Sequence, residues 1–190
     1  MKVKVPAAFF LLCIFCVSCS TVKNAKGTDN SGMMFAMIYD HENIPVSGVH
    51  VFINEKKIAE SDTQGRFVLD FRKPGEYAVS LTKAGYEPIE QQFSYDPMNV
   101  LYFKMVNASQ LLTMAEDALD RRRFAAADDF LERALVLDPY RTDVLYLKAV
   151  SRYLQQRDRE AAEVLELLAA MGNREEPVAA LLQLIRDRAN

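Results

Sequence analysis

The hydrophobic period of this chain changes once, at Asn107, and the change divides what its two halves can become. From Met33 apolar residues recur at about every second position: "MMFAMIYD" is followed by "VHVFIN", where Val49, Val51 and Ile53 alternate with His50, Phe52 and Asn54. Phe67, Leu69 and Phe71 repeat the pattern in "RFVLDF", as do Tyr77, Val79 and Leu81 in "YAVSL". Weaker strands follow around 89–94 and 100–105. Turn signals separate these runs at Asp62-Thr63-Gln64-Gly65, Lys73-Pro74-Gly75, Lys83-Ala84-Gly85 and Asp96-Pro97, and Lys56-Lys57 fits a further hairpin turn. Alternation places every second side chain on one face of a strand. Six or seven such segments in about 70 residues predict a small antiparallel sandwich over 33–106, with no crossover helices.

Beyond Asn107 the period is 3.6. Glycine is absent from Ala108 to Met171 and Pro139 is the one proline there. Helices are expected over 109–122, 124–137, 142–156, 159–170 and 176–187. The breaks between them are short, which forces neighbouring helices antiparallel and gives two hairpins and a closing helix. The fold class is therefore two-domain, all-β followed by all-α.

The opening segment has a different character. Lys2 and Lys4 precede an almost wholly apolar run from Val5 to Val17, then Ser18-Cys19-Ser20. That layout is a secretory signal. The run is about 13 residues, roughly 20 Å as a helix, against a hydrocarbon core of about 30 Å. A cleaved signal over 1–18 is thus favoured over a spanning helix, with an uncleaved anchor or simple secretion as alternatives. Its end resembles the processing box of bacterial lipoproteins, in which Ser18 fits the small position and Cys19 the cysteine that receives diacylglycerol; Cys16 stands where Leu is usual. The resemblance implies a lipid-anchored N-terminus at Cys19, in the outer-membrane-directed class by its Ser20, with the periplasmic or surface face left open. Residues 19–32 read as a polar tether. All three cysteines lie at or before position 19, so the remainder holds no disulfide framework. Losing Lys2 and Lys4 leaves 21 basic against 26 acidic residues, a net charge of −5 instead of −3, which argues against nucleic-acid partners.

The helical half resembles the tetratricopeptide (TPR) repeat, a 34-residue helix-turn-helix unit. In a first unit over 108–141, Leu111, Met114, Ala115 and Ala118 are followed by Ala127, Leu131, Ala134 and the terminal Pro139. Small Ala115 and Ala127 let the paired helices approach, and Ala134 makes room for the next hairpin. A divergent second unit over 142–175 keeps Leu145, Ala149, Ala161 and Leu165, but has Lys148, Arg152 and Leu168 where Leu, Tyr and Ala are usual. Residues 176–190 supply a cap with Leu181, Leu182 and Ile185. The resemblance implies a concave partner-binding surface of Leu112, Glu116, Leu119 and Asp120 from the first unit and Tyr146, Val150, Tyr153 and Leu154 from the second. Tyr146 and Tyr153, seven residues apart, share a face and suit an interaction hot spot. Packing of the two against each other or the cap is the alternative.

The strand half is similar to the carboxypeptidase regulatory-like group and its short PEGA relatives, which are Ig-like or transthyretin-like sandwiches. The matching runs are Pro45-Val46-Ser47-Gly48-Val49-His50-Val51, Asp62 to Phe67, Pro74-Gly75-Glu76-Tyr77 and Gly85-Tyr86. Here Asp62, Gly65, Gly75 and Gly85 are structural turn residues: Asp62 caps its turn and Gly65 takes the left-handed conformation.

Catalytic residues are scarce. His41 and His50 are the only histidines. Asp40, His41 and Glu42 sit in one short loop without ligand spacing, no nucleophile elbow accompanies any serine, and no glycine-rich phosphate loop occurs. No enzyme, metal or cofactor is expected. Arg121-Arg122-Arg123 reads as a helix C-terminus that could also meet anionic lipid, and Glu116, Asp117, Asp120, Asp128 and Asp129 as a solvated acidic surface. Together these readings predict a non-enzymatic envelope lipoprotein that binds an envelope protein through its TPR hairpins as an adaptor or assembly scaffold. The competing expectation is a peptidoglycan or other glycan ligand on the sandwich, held by Tyr86, Phe93 and Tyr95.

Overall fold

The computed structural model of the protein describes residues 32–189 apart from 72, 97 and 174. The expected signal, Cys19 and the tether lie outside the described residues. Seven strands precede five helices: β1 (Gly32–Asp40), β2 (His50–Ile53), β3 (Lys56–Glu60), β4 (Arg66–Phe71), β5 (Glu76–Thr82), β6 (Ile89–Ser94) and β7 (Leu101–Met105), then α1 (Ala108–Asp120), α2 (Phe124–Leu137), α3 (Thr142–Leu154), α4 (Asp158–Ala170) and α5 (Glu176–Ala189). The change of hydrophobic period at Asn107 is the change from sheet to helix.

The strands form two sheets, β4-β1-β7 and β3-β2-β5-β6, packed over one core. The alternating residues do the packing: Val49, Val51, Leu69, Val79 and Leu81 are fully buried, with Phe67, Phe71 and Ile53 nearly so. One pairing departs from an antiparallel sandwich. β7 runs parallel to β1, Ala36 opposite Leu101 through Asp40 opposite Met105. A parallel neighbour cannot be joined by a tight hairpin, and here the other five strands make the connection. As a result the chain enters β1 at one end of the sandwich and leaves β7 for the helices at the other.

The turns are locally determined. Asp62 Oδ1 accepts the backbone N–H groups of Gln64 and Arg66 at 2.9 and 2.8 Å. These bonds outweigh the little desolvation there and hold its carboxyl below 3.8, the Arg66 N–H contributing most. Gly65 follows at φ 71°, and a Cβ there would stand 2.3 Å from the Ile38 carbonyl oxygen. The β2–β3 turn falls two residues earlier than expected. Asn54 and Glu55 both take positive φ, 47° and 68°, so they form the two-residue loop, while Lys56 and Lys57 open β3. Such a loop needs two left-handed residues, which Asn tolerates well.

The helical half is two hairpins and a closing helix. Asn107 and Gln110 form a capping box at the start of α1, with bonds of 2.9 and 3.3 Å. α1 and α3 end in one motif. Arg123 N–H reaches the Ala118 carbonyl at 2.8 Å and Arg122 N–H that of Leu119, as Arg157 and Gln156 reach Arg152 and Tyr153. Arg122 and Gln156 take left-handed φ of 54° and 62°. Buried residues recur in the same register: Leu111 and Leu145, Ala115 and Ala149, Ala127 and Ala161, and Leu131 and Leu165 are each 34 positions apart. The small alanines let each helix pair close, and Val178 and Ile185 of α5 cover the end of the stack.

Candidate interaction surface on the helical array

Positions 112, 116, 119 and 120 of α1 lie 34 residues before positions 146, 150, 153 and 154 of α3, so all eight occupy equivalent places on the first helices of the two hairpins. Their environments differ. Glu116 and Asp120 are exposed, Leu154 is 49% exposed, and Leu112, Tyr146 and Val150 are half-buried. Leu119 is not a surface residue. It packs with Ala118 and Ala127 where α1 meets α2, because the position one residue past the buried Ala118 turns into the hairpin seam.

Tyr153 is held by the closing helix. The Arg188 guanidinium lies over its ring, 4.3 Å from the centroid, and donates to its hydroxyl. Arg188 is itself fixed by Asp158 at 3.2 Å. Tyr146 and Tyr153 both pack against the cluster that α5 completes with Leu181 and Leu182. The pair therefore joins α3 to the cap as well as facing outward.

The second hairpin also contains a charge cluster that the sequence reading did not assemble. Arg152 is only 7% exposed and stands 34 positions after buried Ala118. Its guanidinium pairs with Asp128 of α2, and lies 3.6 Å from Glu160 and 3.9 Å from Glu132. Asp128 also accepts from Ser151 Oγ at 2.8 Å and Gln155 Nε2 at 3.2 Å. Burial pushes the Asp128 carboxyl upward, but those hydrogen bonds and the Arg152 charge outweigh it and hold the group below 3.8. Asp128 is thus part of the α2–α3 joint and not of a solvated acidic surface. The signal was present as a charge inside an apolar stripe, which demands a buried partner.

A forked ion pair joins the β and α halves. Arg133 of α2 donates to both carboxylate oxygens of Glu87 at 2.8 and 2.7 Å. Beside it, Glu87 N–H bonds the Val106 carbonyl at 2.9 Å and Tyr86 bridges to Asn107. No sequence signal joins residues 46 positions apart.

The sandwich aromatics divide between core and surface. Tyr95 is buried with its ring 4.9 Å from that of Phe71, and Phe93 meets the same ring edge-on at 5.7 Å, while Tyr86 is half-buried beside Lys83. A shallow concavity of about 770 Å³ lies on the outer face of the four-stranded sheet, over Phe52, Ser80, Thr82, Glu90 and Gln92. Asp40 is buried and spends its carboxylate on the N–H groups of Glu42 and Ile44, both at 2.9 Å, while His41 is exposed. His50 faces outward, 3.5 Å from Glu60. Among the described residues no three His, Cys, Asp or Glu side chains come together in a metal-binding group, and no helix is long and apolar enough to cross a membrane.

No protein-family model and no curated protein matches the chain. Among solved structures, two of the major pilin subunit BcpA of Bacillus cereus align at 15% and 18% identity, each with a TM-score of 0.32, over 40% of this chain and 28% of theirs. The 3-chlorocatechol 1,2-dioxygenase of Rhodococcus opacus 1CP aligns at 11% identity and TM-score 0.31, over 43% of this chain and 60% of that enzyme. The chain thus spans less than a third of the pilin and under two thirds of the dioxygenase. What is established is the architecture: a seven-stranded, two-sheet domain followed by a stacked array of five helices.

Proposed function

We propose that this chain is a non-enzymatic, lipid-anchored protein of the bacterial cell envelope, and that its helices are two TPR repeats and a cap that bind another envelope protein. The protein acts as an adaptor or assembly scaffold. The observation that carries this reading is the 34-residue equivalence between the hairpins, in which buried residues and left-handed turn residues recur in register. Stacked units of that kind bury a continuous core and leave their first helices as a binding face. Glu116, Asp120 and Leu154 are the exposed members of that face, with Tyr146 and Val150 beside them. The parallel β1–β7 pairing adds a division of labour, since attachment at the N-terminal side leaves the array at the far end of the sandwich.

Site-specific photocrosslinking in intact cells tests the reading. Probes at positions 116, 146 and 154 are expected to capture one discrete envelope protein, while a probe at Arg159 on α4 captures none. Charge reversal by Glu116→Lys with Asp120→Lys is expected to weaken that crosslink without changing helicity. Equal labelling at all four positions, or no adduct from any of them, refutes the binding face. A glycan ligand for the sandwich has less support, because two of its three expected aromatics are packed on Phe71.

A further inference from the structure

The outer face of the three-stranded sheet carries an apolar strip set between charged residues, the exposed Asp70 lying opposite Met33 and the exposed Arg66 opposite Met37. Met33 and Phe35 of β1 are 65% and 59% exposed, Val68 of β4 is 42% exposed and Tyr102 of β7 is 66% exposed. They are neighbours by register. Phe35 is directly opposite Val68, and Met37 is opposite Tyr102. β1 is consequently apolar on both faces, since Met34, Ala36 and Ile38 point into the core. A strand patterned in this way is expected where both faces meet an apolar medium. Four large apolar side chains left exposed on one face form the kind of patch that marks an interaction surface.

We infer that this face docks on the lipid surface to which the chain is tethered. The inference rests on the anchor at Cys19. Gly32, where β1 starts, is 13 residues after Cys19, so the patch is held within about 45 Å of the attachment point even with the tether fully extended. Two arguments favour lipid over a second copy of the chain. A stable dimer buries about 800 Å² on each partner, more than this patch offers. A tethered contact needs far less, because the tether keeps the local concentration of the surface high. The composition also suits the headgroup boundary. Phe35 and Tyr102 are aromatic, Tyr102 carries a polar tip, and the exposed Lys104 stands opposite Tyr39 at the border, where its ammonium can reach a phosphate.

The chain contains no tryptophan, so one introduced indole reports its own surroundings. The acylated Phe35→Trp protein is reconstituted into phosphatidylethanolamine–phosphatidylglycerol vesicles with brominated acyl chains, and Tyr102→Trp and Phe52→Trp are treated alike. At positions 35 and 102 the emission is expected to shift to the blue and fall about twofold, as for groups seated about 5–10 Å into the headgroup–acyl boundary. At position 52, on the outer face of the other sheet, it is expected to stay unquenched. Vesicle-bound protein with unquenched indoles at 35 and 102 overturns the docking and leaves the anchor standing. A blue shift without bromine quenching that grows with protein density assigns the face to a second copy and also overturns it. A mature N-terminus whose mass lacks acyl chains overturns the anchor, and the docking with it.

Discussion

Arg152→Ala isolates the least expected feature of the helical array. Removing one partner of a buried ion pair costs about 3–5 kcal/mol, because the other charge is left buried. Asp128 keeps the Ser151 and Gln155 hydrogen bonds and its side chain is 19% exposed, so the expected loss is about 2–3 kcal/mol. For a protein of this size that lowers Tm by about 4–12 °C. Asp128→Ala and the double variant complete a cycle whose coupling energy is expected to exceed about 1 kcal/mol. The same pair sets an acid dependence. Asp128 titrates lower in the folded protein than its unfolded value near 3.9. Its contribution is therefore present above that value and is lost as pH falls through the folded one, so wild type loses stability more steeply than Arg152→Ala between about pH 5 and pH 2. Chemical denaturation at neutral and acid pH, followed by far-UV circular dichroism, reads both effects. Additive single variants, or parallel acid limbs, refute the reasoning.

Three further outcomes follow from particular contacts. Gly65→Ala combines a left-handed φ with a Cβ 2.3 Å from a backbone oxygen, whereas Gly85→Ala at φ 79° meets nothing within 4 Å; thermal denaturation is expected to show about 2–4 kcal/mol for the first and about 1–2 for the second. Arg133→Ala removes the fork to Glu87, whose side chains are 38% and 25% exposed. Its expected effect is about 1 kcal/mol, seen as a roughly fivefold faster amide exchange around Tyr86, Val106 and Asn107 that added salt reproduces in wild type. Tyr153→Ala releases Arg188 and is expected to raise deuterium uptake across α5 while α1 and α2 stay protected.

Much of this protein was legible in its residues, and the rest was hidden for identifiable reasons. The strands at "RFVLDF" and "YAVSL" and the helices after Asn107 follow from local periodicity, which reports directly on one-sided burial. The turn expected at Lys56-Lys57 lies two residues earlier because β3 is an edge strand, largely exposed and thus without alternation. Leu119 was assigned to a surface by position in a repeat, yet the bend into α2 buries it. Asp128 looked like one acid among five until α3 brought Arg152 against it. The apolar outer face of β1 was visible in "MMFAMIY", but its meaning depended on which strands flank it.

The sequence by itself determined where sheet gives way to helix, the 34-residue register of the two hairpins, and the turns whose residues satisfy their own backbone. These are properties of neighbours along the chain, decided by side-chain period and allowed φ. Only the tertiary structure decided the rest. It set β7 parallel to β1, so that the helices leave from the end opposite β1's start. It paired Arg152 with Asp128 and Arg133 with Glu87, and brought Phe35, Val68 and Tyr102 onto one exposed face. Each of those joins residues distant in sequence, and such pairs are chosen by the packing of whole elements, where a buried charge must find a partner and an apolar face must find a cover.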